Sequence, residues 1–526
     1  MLSALLSDER ADAPLWLCDL RGLFASEPDG LPLTLRLLCP DGEGRAYALM
    51  IPHWETEAEK ELLLRFLCAH VYNLLSAFSG RVICFCCGEP LSALCREIPA
   101  RFEGGGLRKV MNIARRISGS FHFRFAPWEP CGDAPAKTPE TALGAALRRA
   151  CAEAGRGGLV GLDVGGSDIK LAAALDGTLL YTEEYDWNPA ASPTAEGILD
   201  PMLALLLKAR ERLRAAGGEL NGVGLSFPDV VIRDRIVGGE TPKTRGMRDN
   251  TALDYEREFK KLGDLKEAIL ALCAPGGRCR ICNDGSMAAF TAAAELAAGG
   301  EDAAIAGGVI AHSLGTDLGT GWLLPDGSIP PIPLEMYDLL LDLGSRSAAA
   351  FPPEDLRSSR NENSGMPGLR RALGQAAAYR LAWSLDPGML TGFVQEENGL
   401  LTIPTAPEDL RKPALAHLMA LAEEGKPEAE EIFRQIGRNL AAVVREMDWI
   451  FGATPPARFL FGRFVKSRRC FALLCEGFDG AETGVRLKAA DEELANTPLM
   501  RQLAERPDAS VAQFGQTVGA IYYAVF

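Results

Sequence analysis

The chain has 526 residues, 47% of them hydrophobic and 24% charged, and a formal net charge of −15. That length exceeds what one hydrophobic core sustains, so two or three domains are expected. The acidic balance excludes a broad nucleic-acid or anionic-membrane footprint, while leaving room for a local phosphate site.

No unbroken apolar run approaches a membrane span, and the start, Met1–Leu15, lacks the basic and apolar regions of a signal peptide. A cytoplasmic location is therefore expected. The 14 cysteines sit mostly inside apolar runs such as Val82–Cys87, where a thiol behaves as a small hydrophobe. Cys279 and Cys282 form one CxxC without a second pair or suitably spaced histidines, so buried thiols are expected rather than a metal site.

In chain order, Leu15–Leu20, Leu31–Leu38 and Arg45–Ile51 read as short strands. Thr56–Glu59 is a capping box ahead of a helix whose apolar face runs from Leu63 to Phe78. Val82–Cys87 reads as a buried strand. Gly104-Gly105-Gly106 precedes the basic helical stretch Leu107–Ile117. It lacks P-loop spacing, so a solvated basic face is expected, with an anion site at the helix start as the alternative. Glu129–Lys137 reads as a linker, and Thr138-Pro139 as a helix start.

From Leu159 the pattern becomes three strands (159–164, 169–175, 178–185), a helix (195–216), a strand (223–227), a second helix, and a short strand (279–282) ending in Asn283-Asp284. A helix, 286–298, leads out. Ala304–His312 then opens a second unit of the same kind. Strand, Gly-rich turn, strand and Asp-Gly hairpin occur at 159–177 and again at 309–327. Such turns leave backbone N–H groups uncovered for phosphate. Helices follow at 369–384, 414–424 and 427–451, then a strand at 457–461 and a closing helix at 514–526. The expected organisation is an α+β accessory domain (1–137) and two lobes of mixed sheet and helix (138–300 and 301–526), with the closing helix free to return to the first lobe.

Asp163-Val164-Gly165-Gly166-Ser167-Asp168-Ile169-Lys170 resembles the first phosphate motif, DxGGTxIK, of the ROK family of sugar kinases and sugar-responsive repressors. Gly224–Pro228 is similar to that family's GIxxPG, with Asp229 in the last glycine position. Asn283-Asp284 followed by Ala288 matches NDxxA. Leu314–Gly321 resembles LGTGIGGG, with Asp317 and Thr320 in place of glycines. Glu335–Asp338 falls where the family has GEIGH, and the zinc-binding cysteines that should follow are missing, so no structural zinc is expected. Phe459–Ser467 takes the place of the adenosine motif and keeps one glycine, Gly462. Lys243-Thr244-Arg245 replaces the family's sugar loop, as a surface loop or as a site for an acidic ligand.

The resemblance covers most of 158–526. It implies a two-lobed actin/hexokinase-like (ribonuclease H-like) α/β fold of duplicated mixed sheets, and ATP- and Mg²⁺-dependent phosphoryl transfer to a sugar or polyol. It assigns Asp284 as general base, and Asn283, Glu335, Asp338 and Lys243 to the sugar. Asp163, Gly165, Gly166, Ser167, Lys170, Gly315, Thr316 and Gly462 fall to the nucleotide, with Asp163 reaching Mg²⁺ through water. No membrane and no nucleic acid beyond the nucleotide is implied; homodimerisation stays open. Asp317, Arg463 and Phe464 also allow the alternative, a catalytically impaired sugar- or nucleotide-binding regulator on the same scaffold. A repressor is disfavoured, because no helix-turn-helix pattern precedes the lobes.

Overall fold

The computed structural model describes residues 1–7, 14–130, 143–166, 168–315, 317–344, 350–360, 368–405, 408–452, 454–455, 457–481, 483–489 and 495–526. The N-terminal part runs α1 (Leu2–Ser7), α2 (Leu17–Ala25), β1 (Leu31–Leu38), β2 (Gly44–Ile51), α3 (Glu57–Phe78), β3 (Val82–Cys87), α4 (Leu91–Cys95), α5 (Ile98–Phe102), α6 (Arg108–Ser118) and β4 (His122–Ala126). Its sheet has the order β2-β1-β3-β4. The Thr56 capping box forms with both hydrogen bonds.

Residues 15–20 were expected as a strand; Trp16 makes an isolated antiparallel bridge to Asp342, and from Leu17 onward the chain is helical. Leu17, Leu20 and Phe24 recur at helical spacing and are buried together, which outweighs the short apolar run. Helix α3 also has the length and composition of a membrane span, contrary to the sequence reading, but 89% of that window is buried in the fold.

The first lobe comprises α7 (Leu143–Glu153), β5 (Gly158–Val164), β6 (Asp168–Leu175), β7 (Thr178–Asp186), α8 (Glu196–Ala215), β8 (Leu220–Phe227), β9 (Val231–Ile232), β10 (Arg235–Ile236), α9 (Arg245–Asp249), α10 (Tyr255–Lys260), α11 (Leu265–Leu270), β11 (Arg278–Asn283) and α12 (Asp284–Ala298). Its sheet order is β11-β8-β5-β6-β7. The meander β5-β6-β7 is antiparallel, and β8 and β11 add parallel to β5. Asp176 (φ 48°) and Gly177 (φ 77°) turn β6 into β7 with two positive φ angles, the signature of a type I′ hairpin.

The second lobe comprises α13 (Asp302–Ile305), β12 (Val309–Leu314), β13 (Leu318–Leu323), α14 (Leu369–Ala372), α15 (Gly374–Leu385), β14 (Gln395–Glu397), β15 (Leu400–Thr402), α16 (Arg411–Glu423), α17 (Pro427–Phe451), β16 (Ala457–Phe461), α18 (Arg468–Asp479), β17 (Arg486–Ala489), α19 (Pro498–Ala504) and α20 (Val511–Tyr523). Its sheet order is β13-β12-β16-β17, with β12/β13 antiparallel and β16 and β17 parallel to β12. The strand expected over 304–312 begins only at Val309, because Gly308 adopts φ 84° and separates it from the turn of α13.

The two sheets repeat one plan: a central strand with an antiparallel hairpin on one side and parallel strands on the other. The second repeat lacks, among the described residues, a counterpart of β7. This duplicated mixed-sheet plan is the arrangement expected of the two-lobed actin/hexokinase-like fold.

Helix α12 packs on β12 and β13, and α20 packs on β5, β6 and β8, so the two helices interleave the lobes. One continuous core joins α3 of the N-terminal part (Phe66, Tyr72) with Met336 and with Leu440 of α17 in the second lobe. Thr138-Pro139, Ser167 and Thr316 lie outside the described residues.

Candidate functional site

The site is built where strand ends of both lobes converge. Asp163 is the next-to-last residue of β5, facing Ser226 on β8 and Lys170 on β6 in register. Lys170 Nζ is 2.5 Å from Asp168 Oδ1, so much of its charge is directed at that carboxylate. The Asp163 carboxyl is pushed up to about 6, chiefly by burial, with Asp284 and Asp168 raising it and Lys170 opposing. Asp163 is half-buried, and a carboxylate with others near enough to raise it has the oxygen-donor chemistry that a partly hydrated Mg²⁺ would use.

Asn283 caps α12. Its side-chain oxygen accepts from the Gly285 amide at 2.9 Å, and its Nδ2 donates to the Asp229 carbonyl at 3.0 Å. Asp284 follows as the first helical residue, and its Oδ1 also accepts from Gly285 N at 2.9 Å. Burial raises its carboxyl, and the Lys243 ammonium opposes that shift. Cap and chemistry thus share one dipeptide: the cap fixes the backbone, and the helix start aims Asp284 into the cleft.

The second turn is held by Gly315 N donating to Asp317 O at 3.1 Å and by Gln375 N donating to Gly315 O at 3.0 Å. A methyl group added at Gly315 would meet nothing within 4 Å, so this backbone faces open space. At Gly166 the nearest atom to such a methyl would be Lys243 Cε, at 3.6 Å. Lys243 therefore lies between the first turn and Asp284, and it makes no hydrogen bond or ion pair among the described residues. Arg245, its expected basic companion, is exposed.

A cavity of about 220 Å³ is lined by Asp229, Lys243, Asn283, Asp284, Gly315, Asp317, Glu335 and Tyr337, among others. Glu335 is 6% exposed. Its carboxyl is pushed up to about 7 by burial, with Asp229 reinforcing and Lys109 opposing. Asp229, in the family's glycine position, accepts from the amides of Val230 (2.7 Å) and Gly239 (3.0 Å), which pins the loop after β8.

Beyond Asp317 lies a second cavity of about 220 Å³, lined by Glu354, Arg371, Gln375, Tyr379, Thr402 and Arg411. Asp317 borders both.

Three expectations change. Asp338 does not line the cavity: it is 1% exposed and accepts from Tyr72 Oη and Lys109 Nζ, both at 2.8 Å. Gly462 (φ 101°) serves close packing, since a Cβ there would come within 2.4 Å of Leu314 O. Phe464 does not obstruct a nucleotide, because it is fully buried against Phe433. The residue that sequence reasoning missed is Lys109, 7% exposed and 3.9 Å from Glu335. Its only signal was the basic stretch 107–117, which had been assigned to solvent.

No protein-family model matches the chain, and no curated protein matches it. Among solved structures, the chain is similar to a ROK family glucokinase from Streptomyces griseus in complex with glucose and AMPPNP. That match has 20% identity, covers 70% of this chain and 99% of that one, and has a TM-score of 0.44. A ROK hexokinase from Thermus thermophilus matches at 20% identity over 70% and 97% of the two chains (TM-score 0.41). A glucokinase from Balamuthia mandrillaris in complex with glucose matches at 13% over 74% and 100% (TM-score 0.42). Activity is read from this chain's own residues.

Proposed function

We propose that the protein transfers the γ-phosphoryl group of ATP to a hydroxyl of a sugar or polyol. The observation that supports this most is the meeting of Asp284, Lys243, Glu335 and the second glycine turn around one cavity, with the first glycine turn against Lys243. The backbone of Gly165, Gly166 and Gly315 would receive phosphate oxygens. The second cavity, reached past Asp317, would take the nucleoside. Asn283 and Glu335 would hold acceptor hydroxyls. Asp163 would hold Mg²⁺ through water, and the ion when bound supplies charge neutralisation on the phosphates.

In the transfer step the acceptor oxygen forms its bond to the γ-phosphorus as its proton passes to the Asp284 carboxylate. The bond from that phosphorus to the β,γ-bridging oxygen breaks, and ADP leaves. Lys243 would offset charge on the transferring group. The test is ADP formation that requires both ATP and an acceptor, screened across hexoses and polyols. ATP turnover that ignores the acceptor, or no turnover at all, rejects the reading.

Activity should fall in acid. With Asp163 titrating at about 6, kcat/KM is expected to rise with pH through that value and then level off. Stability should move the other way. The folded state holds the Asp163 proton to higher pH than the unfolded chain does, so this contribution is complete below about pH 4 and is lost as pH rises through the folded value. Opposite slopes in a pH–rate profile and a pH–melting series check both signs.

One observation favours the alternative, a binding or regulatory protein: Asp317 puts a carboxylate on the second phosphate turn. If it faces phosphate, Asp317→Asn should tighten binding of a non-hydrolysable ATP analogue with Mg²⁺ by about tenfold, the equivalent of about 1.4 kcal/mol of relieved repulsion. An unchanged Kd by calorimetry would mean that the carboxylate turns away from the ligand.

A further inference from the structure

Helix α6 touches the acceptor-side loops of both lobes. From its first turn, Lys109 Nζ reaches Asp338 Oδ2 (2.8 Å), Tyr337 Oη (2.5 Å) and Glu335 Oε2 (3.9 Å), all in the second lobe. From its last turns, Arg116 reaches the first lobe: Glu240 at 2.8 Å, Glu256 at 2.6 Å and the Gly238 carbonyl. Its guanidinium also lies 5.5 Å from the Tyr255 ring centroid and 5.3 Å from that of Phe259. Asn112, between them, donates to Glu240 at 3.5 Å.

Lys109 and Arg116 are seven residues apart, so they share a helix face about 10 Å apart along the axis. Neither is a solvated surface charge: their side chains are 7% and 11% exposed. Helix α3 holds the same second-lobe loop from behind. The amides of Leu334 and Glu335 donate to the carbonyls of Ala77 (3.1 Å) and Ser76 (3.0 Å), and Asn73 bonds both backbone groups of Leu340.

We propose that α6 is a positioning element of the acceptor cavity. Lys109 fixes the loop bearing Glu335, Arg116 fixes the loop leading to Lys243, and the helix sets the spacing between them. The N-terminal segment is thereby part of the site. Lys109 also keeps Glu335 closer to its ionised form, able to accept from a hydroxyl, against the pull of burial, Asp229 and Asp338. The inference rests on the acceptor reading of the cavity, and its test has one arm that needs no ligand.

Removing Lys109 alone would strand Asp338 in the interior, so the pair is removed together as Lys109→Met with Asp338→Asn. Arg116→Gln and Lys109→Arg complete the set. In the 526-residue chain without ligand, hydrogen exchange should quicken over 329–340 in the double variant and over 236–250 in Arg116→Gln. Exchange over β14–β15 should stay unchanged, and Lys109→Arg should behave like the wild type.

With ATP, Mg²⁺ and D-glucose as the probe, the double variant should raise the acceptor KM about tenfold while the KM for ATP stays within about twofold. Unchanged exchange at both loops overturns the proposal, as does a rise in KM for ATP equal to that for the acceptor. A wild type that phosphorylates nothing defeats the kinase reading alone, and exchange then decides the role of α6.

Discussion

Asp284→Asn is expected to lower phosphoryl transfer by about 10²–10⁴-fold, the usual contribution of a positioned general base, without loosening the fold. The amide keeps the oxygen that accepts from Gly285 N, and Asn283 goes on capping α12. Burial already disfavours the charged form of this carboxyl. Neutralising it should leave the melting temperature equal or slightly higher at neutral pH, because a desolvation cost is removed. Binding of an ATP analogue should persist. Steady-state kinetics beside a thermal melt separates the outcomes. Full activity would remove Asp284 from the mechanism, and lost activity with a collapsed melt would make it a structural residue.

Gly321→Ala should produce a large loss of stability. A Cβ at Gly321 would lie 1.8 Å from Gly285 O, and one at Gly285 would lie 2.4 Å from Thr320 O. Both obstacles are backbone, so no side chain can swing aside. The first turn of α12 rests directly on β13, and this contact sets where Asp284 of one lobe stands relative to the phosphate turn of the other. Overpacking of this kind costs about 3 kcal/mol or more. Gly315→Ala is the matched control: its added methyl would meet nothing within 4 Å. Chemical denaturation should show the first variant strongly destabilised and the second unchanged. Equal stability for the two would contradict the backbone contact.

Much of the fold was legible because its signals are local. The repeated strand–turn–strand units, the Asp176-Gly177 hairpin and the Thr56 capping box each lie within a few residues, and each forms as read. Asn283-Asp284 was legible for the same reason, since cap chemistry and motif coincide.

What escaped was set by tertiary contact. Leu17, Leu20 and Phe24 form a helix face whose burial sequence alone cannot show. Asp338 sits in a recognisable motif position, yet its partners, Tyr72 and Lys109, lie more than 220 residues away in sequence. The basic run of α6 has the composition of a solvated helix, and only the acidic loops of both lobes reveal its use. Conversely, Phe464 looked obstructive by size, and its burial against α17 removes the obstacle.

The most direct measurement is ³¹P NMR of the purified chain incubated with ATP, Mg²⁺ and single sugars or polyols in turn. The proposed chemistry predicts a phosphomonoester signal that grows with ADP, needs the acceptor, and disappears in Asp284→Asn. No phosphomonoester with any acceptor, despite tight binding of the ATP analogue, would contradict the kinase reading and leave the binding or regulatory one standing.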